Sequence, residues 1–108
     1  ELQVTPTVSV DDIVPDRPHL GRPVPNPFNP TTTLDLTMPP GGGPVSVRVY
    51  DAAGRHVRLL RSGSLPAGVH PIRWDGRDDR GHDLPSGTYL LRLDAASTRT
   101  TRKLQLLR

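Results

Sequence analysis

The chain reads as all-β: an antiparallel β-sandwich of six to seven short strands behind an extended N-terminal arm. Three observations lead there. From Thr31 onward, apolar and polar residues alternate at period two in one segment after another. The segments are parted by turns rich in Pro, Gly and Asp, and 13 prolines and 10 glycines stand among the 108 residues. No stretch repeats apolar residues at 3.6 spacing between caps, so essentially no helix is expected. Short strands with exposed edges are usually stabilised by packing two antiparallel sheets face to face.

Residues 1–24 differ from the rest and are read as an extended arm or linker. Leu2 and Val4, then Val8 and Val10, alternate with polar residues, which fits an edge or donor strand. Pro6 interrupts that pattern, and residues 11–25 hold four prolines without a period. The sandwich is expected over residues 25–108. Leu34, Leu36 and Met38 mark the first regular strand, closed by the Pro39-Pro40-Gly41-Gly42-Gly43-Pro44 turn. Val45, Val47 and Val49 mark the second, and Asp51-Ala52-Ala53-Gly54 turns the chain. Val57 and Leu59 mark a third strand ending at Ser62-Gly63. His70, Ile72 and Trp74 share a face of the fourth, where Pro71 points to an edge or a bulge. A loop rich in Asp and Gly follows over residues 75–87. Tyr89, Leu91 and Leu93 make the fifth strand, and Leu104 and Leu106 point inward from the last.

Composition narrows the function classes. At this length the chain forms one core, not two. With no cysteine there is neither a disulfide framework nor a thiolate metal site. No apolar run approaches the roughly 20 residues of a membrane span, and no stretch reads as a signal peptide, so membrane insertion is not expected. The net charge is +3, from 13 arginines and a single lysine, Lys103, against 11 acids. Residues 1–30 carry four acids and two bases, so the basic excess lies in the remainder. Arg48, Arg58, Arg73 and Arg92 alternate with apolar residues, the pattern of a solvated sheet face rather than a nucleic-acid groove. Phe28, Tyr50, Trp74 and Tyr89 are claimed by core or strand positions, which leaves no stacking platform for bases.

Catalytic and metal chemistry find little support. His19, His56, His70 and His82 are scattered, without an H-E-x-x-H or paired-His spacing. Ser86-Gly87 lacks the context of a nucleophile elbow. Asp75, Asp78, Asp79 and Asp83 could offer oxygen ligands to calcium. Their spacing is not that of an EF-hand, no bidentate Glu follows, and Arg77 and Arg80 interleave. A solvated, internally hydrogen-bonded turn is the better reading, with no enzyme activity and no cofactor.

The ordered motifs are more telling. Asn26-Pro27-Phe28-Asn29-Pro30 precedes the first regular strand. Val49-Tyr50-Asp51-Ala52-Ala53-Gly54, Ile72-Arg73-Trp74-Asp75-Gly76, Ser86-Gly87-Thr88-Tyr89 and Arg102-Lys103-Leu104 follow in order. Their physical roles are structural. The Asn-Pro pairs keep the chain extended, Phe28 plugs one end of a sandwich, and Trp74 sits in the core with its N–H partnered. Asp75 accepts from its own loop, while Gly54, Gly76, Gly81 and Gly87 supply positive φ.

Together these motifs resemble the immunoglobulin-like domain of the flagellar hook-capping protein family. They are equally similar to the C-terminal sorting domains (type IX secretion type) of bacterial secreted proteins. The resemblance covers about three quarters of the chain and implies an immunoglobulin-like or fibronectin III-like sandwich. It further implies a non-catalytic module for sorting, surface attachment or assembly, on the outside or the cell surface of a bacterium. Its partner would be a protein: secretion machinery, a surface anchor or identical subunits. The partner-facing residues are then expected in the arm (Leu2, Val4, Val8, Val10) and the last strand (Arg102, Lys103, Leu104, Leu106, Arg108). The alternative is a structural subunit that polymerises by adding the arm to a neighbour's sheet edge. A plain interdomain linker is the simpler reading of that arm.

Overall fold

Seven strands form among residues 17–96 and 98–108, the part of the chain that this computed structural model describes. They are β1 (His19–Leu20), β2 (Thr32–Met38), β3 (Gly43–Asp51), β4 (His56–Leu65), β5 (Gly68–Trp74), β6 (Gly87–Ala95) and β7 (Thr98–Leu106). A three-stranded sheet, β1-β2-β5, packs on a four-stranded sheet, β4-β3-β6-β7. All neighbouring strand pairs are antiparallel, and no described residue is helical.

The period-two pattern explains the core. In β2, Leu34, Leu36 and Met38 point inward, and Asp35 lies on the opposite, exposed face. β3 does the same with Val45, Val47 and Val49, and β6 with Tyr89, Leu91 and Leu93. Leu104 and Leu106 of β7 and Ile72 and Trp74 of β5 complete the facing layers. Sheet-to-sheet burial of these side chains is the main stabilising term, worth roughly 1.5–3 kcal/mol for each fully buried large aliphatic.

Two strands depart from the expected pattern. In β4, Val47 pairs with Arg61 but Arg48 pairs with Leu59, so Leu60 is an extra residue; likewise Val49 pairs with Arg58 and Tyr50 with His56, leaving Val57 extra. Each β-bulge resets the side-chain parity. Val57 is therefore buried and Leu60 packs on the core, while Leu59 is exposed, which corrects the simple Val57/Leu59 alternation. The strand also runs through Ser62-Gly63 to a buried Leu65.

The second departure is at the start. Leu20 is fully buried, β1 pairs with β2 at His19↔Thr37 and Leu20↔Leu36, and Val24 bridges Thr33. The sheet thus begins at His19, ahead of the start expected at residue 25. Pro71 lies where its missing N–H predicts, on β5, which pairs only with β2.

Candidate docking surfaces and the loop after Trp74

Two turns in the chain are built alike. In residues 51–55, Asp51 Oδ1 accepts the N–H groups of Ala53 (3.0 Å) and Arg55 (2.9 Å), and Gly54 N–H donates to the Asp51 carbonyl at 2.9 Å. In residues 78–82, Asp78 Oδ1 accepts from Arg80 and His82, both at 2.9 Å, and Gly81 N–H donates to the Asp78 carbonyl at 3.0 Å. Gly54 and Gly81 take φ of 87° and 83°, a region costly for residues with a Cβ. Both are D-x-x-G turns. The backbone N–H of Arg55, then of Ala53, holds Asp51 below its ordinary pKa; those of His82 and Arg80 do the same for Asp78.

The loop lies along the outer edge of β4. Asp79 N–H donates to the Val57 carbonyl at 3.0 Å, and Leu59 N–H donates to Asp79 Oδ1 at 2.8 Å. Arg58 reaches the carbonyls of Arg77 and Asp78 and, at 3.5 Å, Asp75. Trp74, almost fully buried, donates its indole N–H to the Arg77 carbonyl at 2.9 Å. Its ring packs between Phe28 and Tyr89, with centroids at 5.5 and 5.2 Å. Tyr89 donates its hydroxyl to the Pro85 carbonyl at 2.7 Å, and burial raises its pKa.

The calcium candidates do not converge. Asp75 accepts the Arg77 N–H, Asp78 caps its own turn, Asp79 is bonded to β4, and Asp83 pairs with Arg77 at 3.0 Å. Among the described residues, no three His, Cys, Asp or Glu side chains are grouped as metal ligands would be. The four carboxylates build the loop instead.

Arg108 fastens this loop from below. Its Nη2 donates to the Gly76 carbonyl at 2.6 Å, its Nε to the Leu84 carbonyl, and its backbone N–H to Ser86 Oγ at 2.8 Å. Arg102 does similar work between the sheets, donating from Nη2 to the Leu20 carbonyl at 2.6 Å. Leu104 and Leu106 are 0% exposed. The expectation that Arg102, Leu104, Leu106 and Arg108 face a partner is therefore corrected: two side chains fill the core and two brace it. Of that group, Lys103 and Arg108 are exposed, although the Arg108 guanidinium is held by the loop.

The last strand's outer edge is also partly occupied. Asn26 Nδ2 donates to the Lys103 carbonyl at 2.9 Å, and Asn26 Oδ1 accepts the Gln105 N–H at 2.8 Å. Phe28 N–H donates to the Gln105 carbonyl, and Leu107 N–H to the Phe28 carbonyl, each at 2.9 Å. Phe28 thereby pairs in parallel with Leu106. The Asn26-Pro27-Phe28 segment acts as a short eighth edge. Its role depends on a pairing across the whole chain, which no local sequence signal shows.

The outer face of the four-stranded sheet carries Arg48 opposite Arg92 in register. Arg92 lies over the Tyr50 ring at 4.6 Å and donates to Asp94 at 2.9 Å, and Arg99 donates to the same carboxylate at 2.7 Å. Burial alone would raise the Asp94 pKa, but the bonds from Arg99 and Arg92 hold it below the ordinary value. Of the four alternating arginines, Arg48 and Arg92 lie on this face, Arg73 is on the other sheet and Arg58 bonds the loop after Trp74. The arm residues Leu2, Val4, Val8 and Val10 lie outside the described residues.

Comparison with known proteins adds a family. The FlgD Ig-like domain family matches residues 28–99. The basal-body rod modification protein FlgD of Salmonella typhimurium is 34% identical over 67 residues, 62% of this chain and 29% of that protein. The chain thus spans under a third of the length of the curated relatives it matches. Dimeric latent PorU from Porphyromonas gingivalis superposes with a TM-score of 0.67 at 26% identity, over 91% of this chain and 10% of that one. FlgD from Pseudomonas aeruginosa gives 0.53 at 33% identity, over 69% and 57%. The expected location on the outside or the cell surface is corrected by the curated relatives, whose names tie them to the basal-body rod.

Proposed function

Because the chain belongs to the FlgD Ig-like domain family, we propose that it is a non-catalytic docking module that helps a bacterial assembly machine build or position its parts. One observation supports this most. The loop carboxylates are spent on backbone N–H groups and arginines, and Arg102 and Arg108 on backbone carbonyls. What is left to offer is a rigid sandwich with shaped edges. Such surfaces recognise proteins through main-chain pairing and side-chain fit. A chimera tests this reading: the matched region of Salmonella FlgD is replaced by this chain and hook assembly is scored. Assembly above that of the domain-deleted protein is expected. A folded, stably expressed chimera that assembles no better than the deletion contradicts it.

A finer reading is recognition by secretion machinery of the type IX kind. The resemblance of the ordered motifs, from Asn26-Pro27-Phe28 to Arg102-Lys103-Leu104, to sorting domains of that kind favours it. A reporter fused to the full chain, in a host with that machinery, is then expected to co-purify with its components. A folded fusion that does not co-purify counts against it.

A further inference from the structure

The sandwich has blunted most of its sheet edges. β5 carries Pro71, which cannot donate to an added strand. β4 is bulged twice and covered at 57–59 by Asp79. β1 is two residues long. β7 is sealed over 103–107 by Asn26 and Phe28. These are the standard defences against edge-to-edge association. Among the described residues, none seals residues 98–101, the first half of β7. On this strand the odd-numbered residues direct their backbone groups outward, as the bonds at Lys103, Gln105 and Leu107 show. At Arg99 and Thr101, among the described residues, the outward groups meet only Arg102 Nη1, at 3.3 Å from the Thr101 carbonyl.

The open half-edge borders a cleft of about 580 Å³ on the side of the sandwich that β1 is too short to close, lined by Leu20, Thr37, Thr100, Arg99 and Arg102 among others. We infer that this half-edge of β7 is the acceptor for residues 7–10 of a second copy of the chain, added as a strand. The inference rests on the reading of the chain as an assembly module and names the contact by which copies would join.

Four properties of the chain fit the donor to this acceptor. Residues 7–10, Thr-Val-Ser-Val, lie between Pro6 and Asp11 and match the four-residue length of the open edge. Val8 and Val10 fall on one side of an added strand, where they can close the cleft over Leu20. Residues 1–16 hold Glu1, Asp11, Asp12 and Asp16 and no base, which complements Arg99 and Arg102. Finally, the chain enters at the hairpin end of β6 and β7, where Pro18 lies beside Ala95 and Ala96, and runs toward Arg102 at Leu20. Val14 and Arg17 each precede a proline and so favour extended backbone.

Two full-length variants separate donor from acceptor. Thr101→Pro removes an outward N–H and leaves the β6 side of the strand intact, while V8D/V10D spoils the donor. By analytical ultracentrifugation, the wild type should associate increasingly with concentration. Each variant alone should stay monomeric, and an equimolar mixture of the two should form a 1:1 dimer. Far-ultraviolet circular dichroism checks that Thr101→Pro is folded; should it not be, T101P is replaced by R99E, at a side chain that makes no bond to β1, with the same expected mixture. Three results overturn the inference. One is a monomeric wild type at several hundred micromolar. Another is association that neither edge variant weakens. The third is a monomer whose Thr101 N–H is protected from exchange only when Val8 and Val10 are intact, which would place the arm on its own sheet. None of these bears on the hook-assembly chimera, so failure here leaves the docking reading to its own test.

Discussion

Asn26 grips Gln105: its Oδ1 accepts the Gln105 N–H at 2.8 Å while its Nδ2 donates to the carbonyl of Lys103 at 2.9 Å. A residue 79 positions upstream in sequence thus takes the place of a neighbouring strand. Phe28 continues the pairing and sends its ring into the core against Trp74. One five-residue motif therefore seals an edge and plugs the end of the sandwich at once. That coupling explains a physical need for Asn at 26 and an aromatic at 28.

Replacing Gly76 should expose how tightly Arg108 is fitted. Gly76 has φ of 74°, and a Cβ there would lie 2.8 Å from Arg108 Nη2 and 3.3 Å from the buried Leu106 side chain. Gly76→Ala should cost about 2 kcal/mol in urea unfolding, from the left-handed backbone and the crowding together. In the double variant with Arg108→Ala the two losses should be less than additive, because the clash partner is gone.

Phe28→Ala should destabilise by about 3–5 kcal/mol, the range for emptying a buried aromatic site. The chain holds a single Trp, so fluorescence reports the effect directly. Since Phe28 packs on that ring at 5.5 Å, the emission of Trp74 in the folded variant should also shift to longer wavelength. An unshifted spectrum would mean that another side chain closes the site.

Those two sites show how far the sequence carries. β2, β3 and β6 were legible because each has one face in the core and one in water, so period two survives intact. β4 was not, because bulges at Val57 and Leu60 break the parity that such a reading assumes. β1 was hidden because a single buried Leu20 among prolines has no period at all. Trp74, Phe28 and the glycines were found from chemistry local to each. Arg102 and Arg108 are expected at a partner surface from the resemblance alone, whereas the structure has both guanidiniums donating to backbone carbonyls of the fold, contacts with no local sequence signal.

Acid should loosen the two D-x-x-G turns. Asp51 and Asp78 have folded pKa values below the ordinary 3.8, because backbone N–H groups of Arg55 and His82 favour the carboxylate. A depressed folded pKa stabilises the fold fully above the unfolded value, and that contribution is lost as pH falls from about 4 through the folded pKa. Thermal melts from pH 6 to pH 2 should therefore fall most steeply below pH 4. The drop should be shallower in D51N/D78N, which has fewer carboxylates left to protonate. Equal slopes would remove these turns as its source.

Calcium should leave the melting temperature of the full chain unchanged, within a degree, between millimolar calcium and excess chelator. Asp75, Asp78, Asp79 and Asp83 each have separate protein partners, and a ligand that bound only the folded state would raise it. A chelator-sensitive midpoint would mean that the loop rearranges to gather them.

Amide hydrogen exchange at Gln105 tests most directly whether the Asn26 motif is an edge seal. In the wild type, the Gln105 and Leu107 N–H groups should be protected like interior strand amides, although β7 ends its sheet. In Asn26→Ala the Gln105 N–H, which loses its acceptor, should exchange roughly tenfold faster, while the Leu107 N–H, bonded to the Phe28 carbonyl, should change less. Leu104 and Leu106, paired across to Tyr89 and Gly87, should keep their protection. A Gln105 amide that exchanges in the wild type at the rate of an open edge, or one that Asn26→Ala leaves untouched, would contradict the account.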